Sequence, residues 1–262
     1  MEKYATLRVH EQPENILLAT LDRPEVANAF NTQTALDLDG LFRRIASERR
    51  HRCVVLTGTG DRAFCAGADL KERNSLAESE WHSQHEIFER MFLSVRECPL
   101  PVIAAVNGAA YAGGLELLLM CDFAYASKTA RFALTEVSLG IMPGGGGTQT
   151  LPRAVGERRA KEIILGARPF SAEEALAWGV VNKLCEPGKL LEETLEAARR
   201  VASNAPLSVA QARRAIRDGL QTDLVSGMRL EIEAYNRLIG TEDRKEGIRA
   251  FNEKRKPKFT GR

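Results

Sequence analysis

The chain has 262 residues, 44% of them hydrophobic and 27% charged, with a formal net charge of +2. That is the make-up of a globular protein long enough to bury one large core, or a core with an appendage, and so small a net charge gives no support for a nucleic-acid or membrane partner. Cys53, Cys65, Cys98, Cys121 and Cys185 are widely spaced and form no C-x-x-C pair. Neither a disulfide framework nor a zinc site is indicated, and a reducing compartment is expected.

From Met1 the chain runs almost directly into alternating apolar residues, with no basic-then-apolar leader. Its longest apolar runs fall far short of the ~20 residues that cross a bilayer. The expectation is a soluble intracellular protein. Thr6–His10 and Ile16–Leu21, separated by Pro13-Glu14-Asn15, read as a hairpin that Arg23-Pro24 ends. Ala35, Leu38, Leu41, Phe42 and Ile45 then recur at helical spacing from Thr34 onward. The basic cluster Arg49, Arg50, His51, Arg52 reads as a solvated helix end before a strand at Cys53–Thr57. After Gly58-Thr59-Gly60, the run Ala63-Phe64-Cys65-Ala66-Gly67-Ala68-Asp69-Leu70-Lys71 is a small-residue turn, which keeps backbone N–H groups accessible. Cys65 has no evident base beside it and reads as a buried thiol.

Residues 74–84 are polar without a clear period and predict a loop; Phe88, Met91, Phe92 and Val95 define a helix up to Cys98-Pro99. Trp81, Phe88 and Phe92 either line a pocket or are plain core. His82 and His85 lie three apart without further ligand spacing, so no metal site is expected.

The most informative stretch is Val102 to Gly147. An apolar strand, Val102–Val106, leads through Asn107, Gly108 and Tyr111 to Gly113-Gly114, and Leu115–Cys121 reads as a short buried helix. A glycine pair at a helix start lets the backbone approach a bound group and leaves the first N–H groups free for an oxygen that carries or develops negative charge. Glu116 stands among leucines, where burial raises a carboxyl pKa. Glu136 lies between Leu134 and Val137, ahead of the loop Pro143-Gly144-Gly145-Gly146-Gly147-Thr148-Gln149. Two acids flanking such a turn suit acid/base chemistry beside a polarised carbonyl. The alternative is that Glu116 merely caps its helix and Glu136 is a surface residue.

Arg153–Leu165 predicts a helix, Ser171-Ala-Glu-Glu174 a capping box opening a short helix closed at Gly179, and Val180–Leu184 a strand. From Leu190 the pattern is helical throughout and stops at Pro257; the last residues are basic and read as a solvated end. The repeating strand, strand, helix order up to Cys185 implies an α/β core.

Tyr111-Ala-Gly-Gly-Leu-Glu116 through Cys121-Asp122, Leu134-Thr-Glu136, and Pro143 to Gln149 resemble the enoyl-CoA hydratase (crotonase) family over nearly the whole chain. The resemblance implies a spiral of ββα turns over residues 1–200, with the active site, and a C-terminal all-helical region, 201–262, that packs subunits into a trimer or a hexamer of two trimers. It also implies that the N–H groups of Ala68 and Gly113 form an oxyanion hole for an acyl-CoA thioester. Glu116 and Glu136 would be the catalytic pair, and Ala66, Asp69, Leu70 and Lys71 would line the substrate path. Phe251 and Lys254 would reach the adenine and phosphates of coenzyme A, often on an adjacent subunit. Coenzyme A is then part of the substrate, and neither a metal nor another cofactor is needed.

The implied activity is hydration of a trans-2-enoyl-CoA in fatty-acid or branched-chain amino-acid breakdown, in the cytoplasm, or in the mitochondrial matrix if a transit peptide has been removed. Isomerases, dehalogenases and decarboxylases of the family differ at the acids, so retention of both glutamates favours a hydratase. Ala112 stands where a third glycine is usual, and Thr135 where proline often precedes the second glutamate. Thr135, Ala66-Gly-Ala-Asp-Leu-Lys-Glu-Arg73 and the four-glycine loop resemble the methylglutaconyl-CoA hydratase subgroup, which makes 3-methylglutaconyl-CoA an alternative substrate. That subgroup includes an RNA-binding member with a lysine row on its first long helix. Here Thr34–Arg44 has no lysine and two aspartates, so no nucleic-acid partner is expected. Nor does a lysine follow Gly144–Gly147 as a P-loop requires.

Overall fold

The computed structural model describes residues 4–48 and 50–262. Met1 and Arg49 lie outside them. Strands β1 (Leu7–Gln12) and β2 (Ile16–Leu21) form the antiparallel hairpin, turning through a short 3-10 segment at Pro13–Asn15. Helix α1 (Thr32–Glu48) buries its apolar stripe, and β3 (Cys53–Gly58), β4 (Ala63–Cys65), α2 (Leu70–Arg73) and α3 (Glu78–Glu97) follow. Then come β5 (Val102–Val106), β6 (Ala109–Tyr111), α4 (Gly113–Met120), β7 (Phe123–Ser127) and β8 (Arg131–Ala133). After a 3-10 turn at Glu136–Leu139 the chain continues with α5 (Gly147–Val155), α6 (Glu157–Gly166), β9 (Phe170–Ser171), α7 (Ala172–Ala177) and β10 (Lys183–Cys185). Helices α8 (Leu190–Ala202), α9 (Pro206–Gly219), α10 (Leu224–Asn236) and α11 (Glu242–Asn252) complete it.

The strands divide between two sheets, in the orders β1-β2-β3-β5-β7-β10 and β4-β6-β8-β9. Each turn of chain therefore gives one strand to each sheet, β3 then β4, β5 then β6, β7 then β8, with parallel pairing between successive turns. This is the spiral expected from the resemblance. Alternation along the strands decides the layering. Val54, Leu56, Ala104 and Val106 point into the main core with Phe30, Phe42, Phe64, Phe132 and Phe170. Cys53, Val55, Ile103 and Ala105 face the other way and are covered by Leu190, Ala198 and Ala202 of α8. All five cysteines are free.

The structure departs from the sequence reading at four places. The segment 74–84, expected to be a loop, is helical from Glu78 onward, because Ala77 and Glu80 form the start of α3 and Gln84 turns inward to polar partners. The single helix expected over Arg153–Leu165 is two helices, parted at Gly156, whose φ of +79° no continuous helix accommodates. The strand expected at Val180–Leu184 begins at Lys183, since Val180 still bonds back to Ala175. The basic cluster is only partly solvated: Arg50 is exposed, but His51 is buried, and Arg52 spans to the carbonyls of Ala202 and Phe259. Burial pushes the His51 imidazole below its ordinary pKa, with Arg50 adding to the effect. The Ser171/Glu174 capping box is present in both directions. No helix among the described residues is long and apolar enough to cross a membrane.

Candidate active site

At the end of β5 the chain passes into β6 of the other sheet, and α4 starts two residues after β6 ends. Gly114 permits that close approach: a Cβ there would sit 2.0 Å from the Cys65 carbonyl oxygen. Ala112, just before the helix, holds φ +49° and ψ −126°, a conformation that costs an L-residue on the order of 1–3 kcal/mol. Its N–H donates to Ala133 O at 2.8 Å, and its carbonyl accepts from Leu115 and Glu116, so three main-chain bonds hold it there. The turn thus forms without the third glycine.

The Ala68 loop is anchored from the other side. Phe30 N donates to Gly67 O at 2.9 Å and Asp69 N to Phe30 O at 2.8 Å, bonds that bracket Ala68 and leave its own N–H out. Among the described residues neither Ala68 N–H nor Gly113 N–H has a main-chain partner. The two loops touch, for a Cβ on Gly67 would lie 3.2 Å from Gly113 N. Ala68 and Gly113 border one cavity of about 440 Å³, together with Ala66, Leu70, Glu116 and Glu136. Trp81, Phe88 and Phe92 of α3 wall it, and Phe30 meets Phe88 edge-on at 4.9 Å.

Both glutamates are buried, Glu116 3% and Glu136 6% exposed, so the capping and surface readings do not hold. Their surroundings differ. Glu116 Oε1 accepts the N–H groups of Gly145 and Gly147, each at 2.8 Å. Burial raises its pKa and those two amides oppose the rise. Neither carboxyl oxygen of Glu136 has a hydrogen-bond partner. Burial, reinforced by the charge of Glu116, pushes it up to about 7. Gly145 is where the glycine loop meets the wall: a Cβ there would lie 2.2 Å from the Phe92 ring.

The remaining predicted residues divide. Asp69 caps α2 through Lys71 N and pairs with Arg23 at 2.9 Å. Burial alone would raise its carboxyl, but the Arg23 guanidinium and the α2 amides outweigh that and hold it below the usual range. Lys71 is exposed, Phe251 is 83% exposed at the end of α11, and Lys254 follows it in the left-handed region; none of the three lines the cavity. Cys65 is fully buried, and burial pushes its thiol up to about 12, against a nucleophilic role.

The sequence reading did not assign the Gly145 and Gly147 amides, nor Arg73, His82 and His85, all three of which line the cavity. The four-glycine run was the available signal for the amides. For Arg73 there was none beyond its place at the end of the Ala66–Arg73 motif, and for His82 and His85 none beyond their spacing of three.

A sequence profile of the enoyl-CoA hydratase/isomerase family matches residues 11–262. The chain is 39% identical to a short-chain-enoyl-CoA hydratase of Clostridium acetobutylicum, over 94% of each chain. It is 35% identical to the mitochondrial methylglutaconyl-CoA hydratase of Mus musculus, over 97% of this chain and 82% of that one. The crystal structure of an enoyl-CoA hydratase from Bacillus anthracis superposes with a TM-score of 0.96 at 41% identity, covering 98% of this chain and all of that one. With both glutamates buried beside two free amides and a match that runs almost end to end, this chain belongs to the enoyl-CoA hydratase/isomerase family.

Proposed function

We propose that the protein hydrates trans-2-enoyl-CoA thioesters to 3-hydroxyacyl-CoA, as a hydro-lyase of fatty-acid or branched-chain amino-acid breakdown. The amides of Ala68 and Gly113 hold the thioester oxygen as charge moves onto it; each such donor contributes about 3–4 kcal/mol. Glu116, kept amenable to ionisation by two amide bonds, takes a proton from the water that attacks C3. Glu136, buried and without a hydrogen-bond donor from another residue, gives a proton to C2. Hydroxide adds to C3 and hydrogen to C2, and proton exchange between the two acids restores the starting state. The reaction is redox neutral and uses no group beyond these residues and the coenzyme A of the substrate.

The observation that carries this reading is the asymmetry of the pair: one buried carboxyl with two donors, the other with none. A named short-chain hydratase and a named methylglutaconyl-CoA hydratase among the relatives support substrates with small acyl groups, including 3-methylglutaconyl-CoA. The exposed apolar residues of α9 and α10, among them Ile216, Leu224 and Ile232, support a role for 201–262 in joining copies of the chain into a trimer or hexamer, where Phe251 and Lys254 meet the nucleotide of a neighbouring site.

The test is steady-state turnover of crotonyl-CoA and 3-methylglutaconyl-CoA by the wild type, Glu116→Gln and Glu136→Gln. Each substitution is expected to lower kcat by at least ~10²-fold, the lower end of what a positioned acid or base contributes. Wild-type rates in both variants would sink the proposal.

A further inference from the structure

One side chain of the cavity has no part in hydration as described. Arg73, the last residue of α2, is only 8% exposed, yet it lines the same cavity as Ala68, Gly113 and the glutamates. Its guanidinium is fixed on three sides by α3. Nε donates to Gln84 Oε1 at 2.9 Å, and the guanidinium carbon stacks 3.6 Å from the centre of the Trp81 ring and 5.2 Å from that of Phe88. Gln84 is held in turn by Glu72 Oε2 and Thr32 Oγ1, each at 2.8 Å.

Glu72 is the carboxylate whose charge acts on this group, but among the described residues no carboxylate is hydrogen-bonded to it. Glu72, its neighbour in sequence, spends its Oε2 on Thr32 N and Gln84 rather than on Arg73. Glu136 leaves both oxygens unbonded and so does not pair with it. Nη2 of Arg73 is buried without a hydrogen-bond acceptor. A buried guanidinium donor without an acceptor is costly to keep, whereas a planar carboxylate matches the guanidinium fork with two parallel bonds. Stacking and the Gln84 bond prepay the ordering of the long side chain, which favours binding over collapse onto another protein group.

Building on the hydratase reading, we infer that Arg73 receives a carboxylate at the distal end of the acyl group, so that the preferred substrates are mono-CoA thioesters of unsaturated dicarboxylic acids rather than plain enoyl-CoAs. A hydrocarbon tail leaves the guanidinium unpaired, and a site built to bond a polar group discriminates strongly against the analogue that lacks it.

The experiment compares glutaconyl-CoA, which ends in a carboxylate, with trans-2-hexenoyl-CoA, which ends in an ethyl group, in wild type, Arg73→Met and Arg73→Lys. The saturated pair glutaryl-CoA and hexanoyl-CoA is compared by calorimetric binding. The ratio of kcat/KM for the carboxylate over the alkyl substrate is expected to fall about 30-fold in Arg73→Met, the worth of a charge-assisted hydrogen bond, and less in Arg73→Lys, which keeps the charge but loses the fork. The binding ratio is expected to fall in parallel. Equal losses on both substrates, or a wild type that binds hexanoyl-CoA as well as glutaryl-CoA, would overturn the assignment. The binding arm needs no turnover. Failure of the hydratase reading shows as absent hydration with the glutaryl preference intact, and failure of this inference as hydration without that preference.

Discussion

Glu116 and Glu136 share a cavity, but only Glu116 is met by amide donors, and the difference sets how the site responds to pH. Glu136 is raised from 4.5 to about 7. As proton donor it is expected to give a kcat/KM that falls above about pH 7, with a second, acidic limb from Glu116. Because the two charges interact, the limbs belong to the pair. In Glu136→Gln the residual activity should lack the alkaline limb; a profile identical to the wild type would refute the assignment. The same shift enters stability with a definite sign. A carboxyl whose folded pKa lies above its unfolded value stabilises the fold at low pH, and that contribution is lost as pH rises through about 7. About 3.5 kcal/mol is at stake between pH 4.5 and 7, at about 1.4 kcal/mol per unit. The wild-type melting temperature should therefore decline across this window relative to that of Glu136→Gln. Glu116 was legible in the sequence because an acid inside a leucine run is anomalous, and Glu136 because it stands between Leu134 and Val137 ahead of the glycine loop. Arg73 was not, because it closes a polar segment, and the stacking that buries it comes from a part of α3 that reads as loop.

At the scale of the element, the site is a meeting of two loop-to-helix junctions, and Gly114 sets how closely they meet. A methyl there would press on main chain, the Cys65 carbonyl at 2.0 Å, which no side-chain rotation relieves. Gly114→Ala is expected to push α4 off β4 and part the Ala68 and Gly113 amides. Overpacking of this kind costs about 1–3 kcal/mol, so the variant should melt lower while kcat falls more than KM changes, as expected when a donor to the transition state is displaced. An unchanged kcat in a folded variant would show that the junction does not set the donors. The strands and most helices could be read from the sequence because fully buried parallel strands such as β3 and β5 are continuous apolar runs. The α5–α6 break could not, since the apolar residues on either side of Gly156 keep a helical period across it and the interruption lies in one backbone angle. The spiral itself has no periodic signature: β4, β6 and β8 are each three residues long, too short to be told from turns.

For the whole molecule, the C-terminal helices leave an apolar stripe open. Leu224, Met228, Ile232 and Tyr235 recur at helical spacing on α10, and all are more than half exposed, beside Ile216 of α9 and Leu220, which caps that helix. A single chain gains nothing from that arrangement, whereas copies that cover it gain the burial. The wild type is expected to sediment as a trimer or hexamer, and Met228→Glu combined with Ile232→Glu to sediment as a monomer with a lower melting temperature. A monomeric wild type would remove the case for assembly through this face.

Helix α9 is not loosely hung on the core. Arg213 reaches Asp122 Oδ1 at 2.6 Å, the carbonyl of Arg96 at 2.9 Å, and the carbonyl of Cys98. Asp122 Oδ2 in turn accepts Val102 N at 2.8 Å, the first amide of β5. One guanidinium thus clamps the α9–α10 hairpin, with its exposed apolar stripe, to the root of the strand whose far end leads into the Gly113 turn. Tugging on the rim should then be felt at the centre: a second copy that steadied α9 would steady the scaffold of the two amides as well, so that assembly would be a brace for the site and not only a cover for grease.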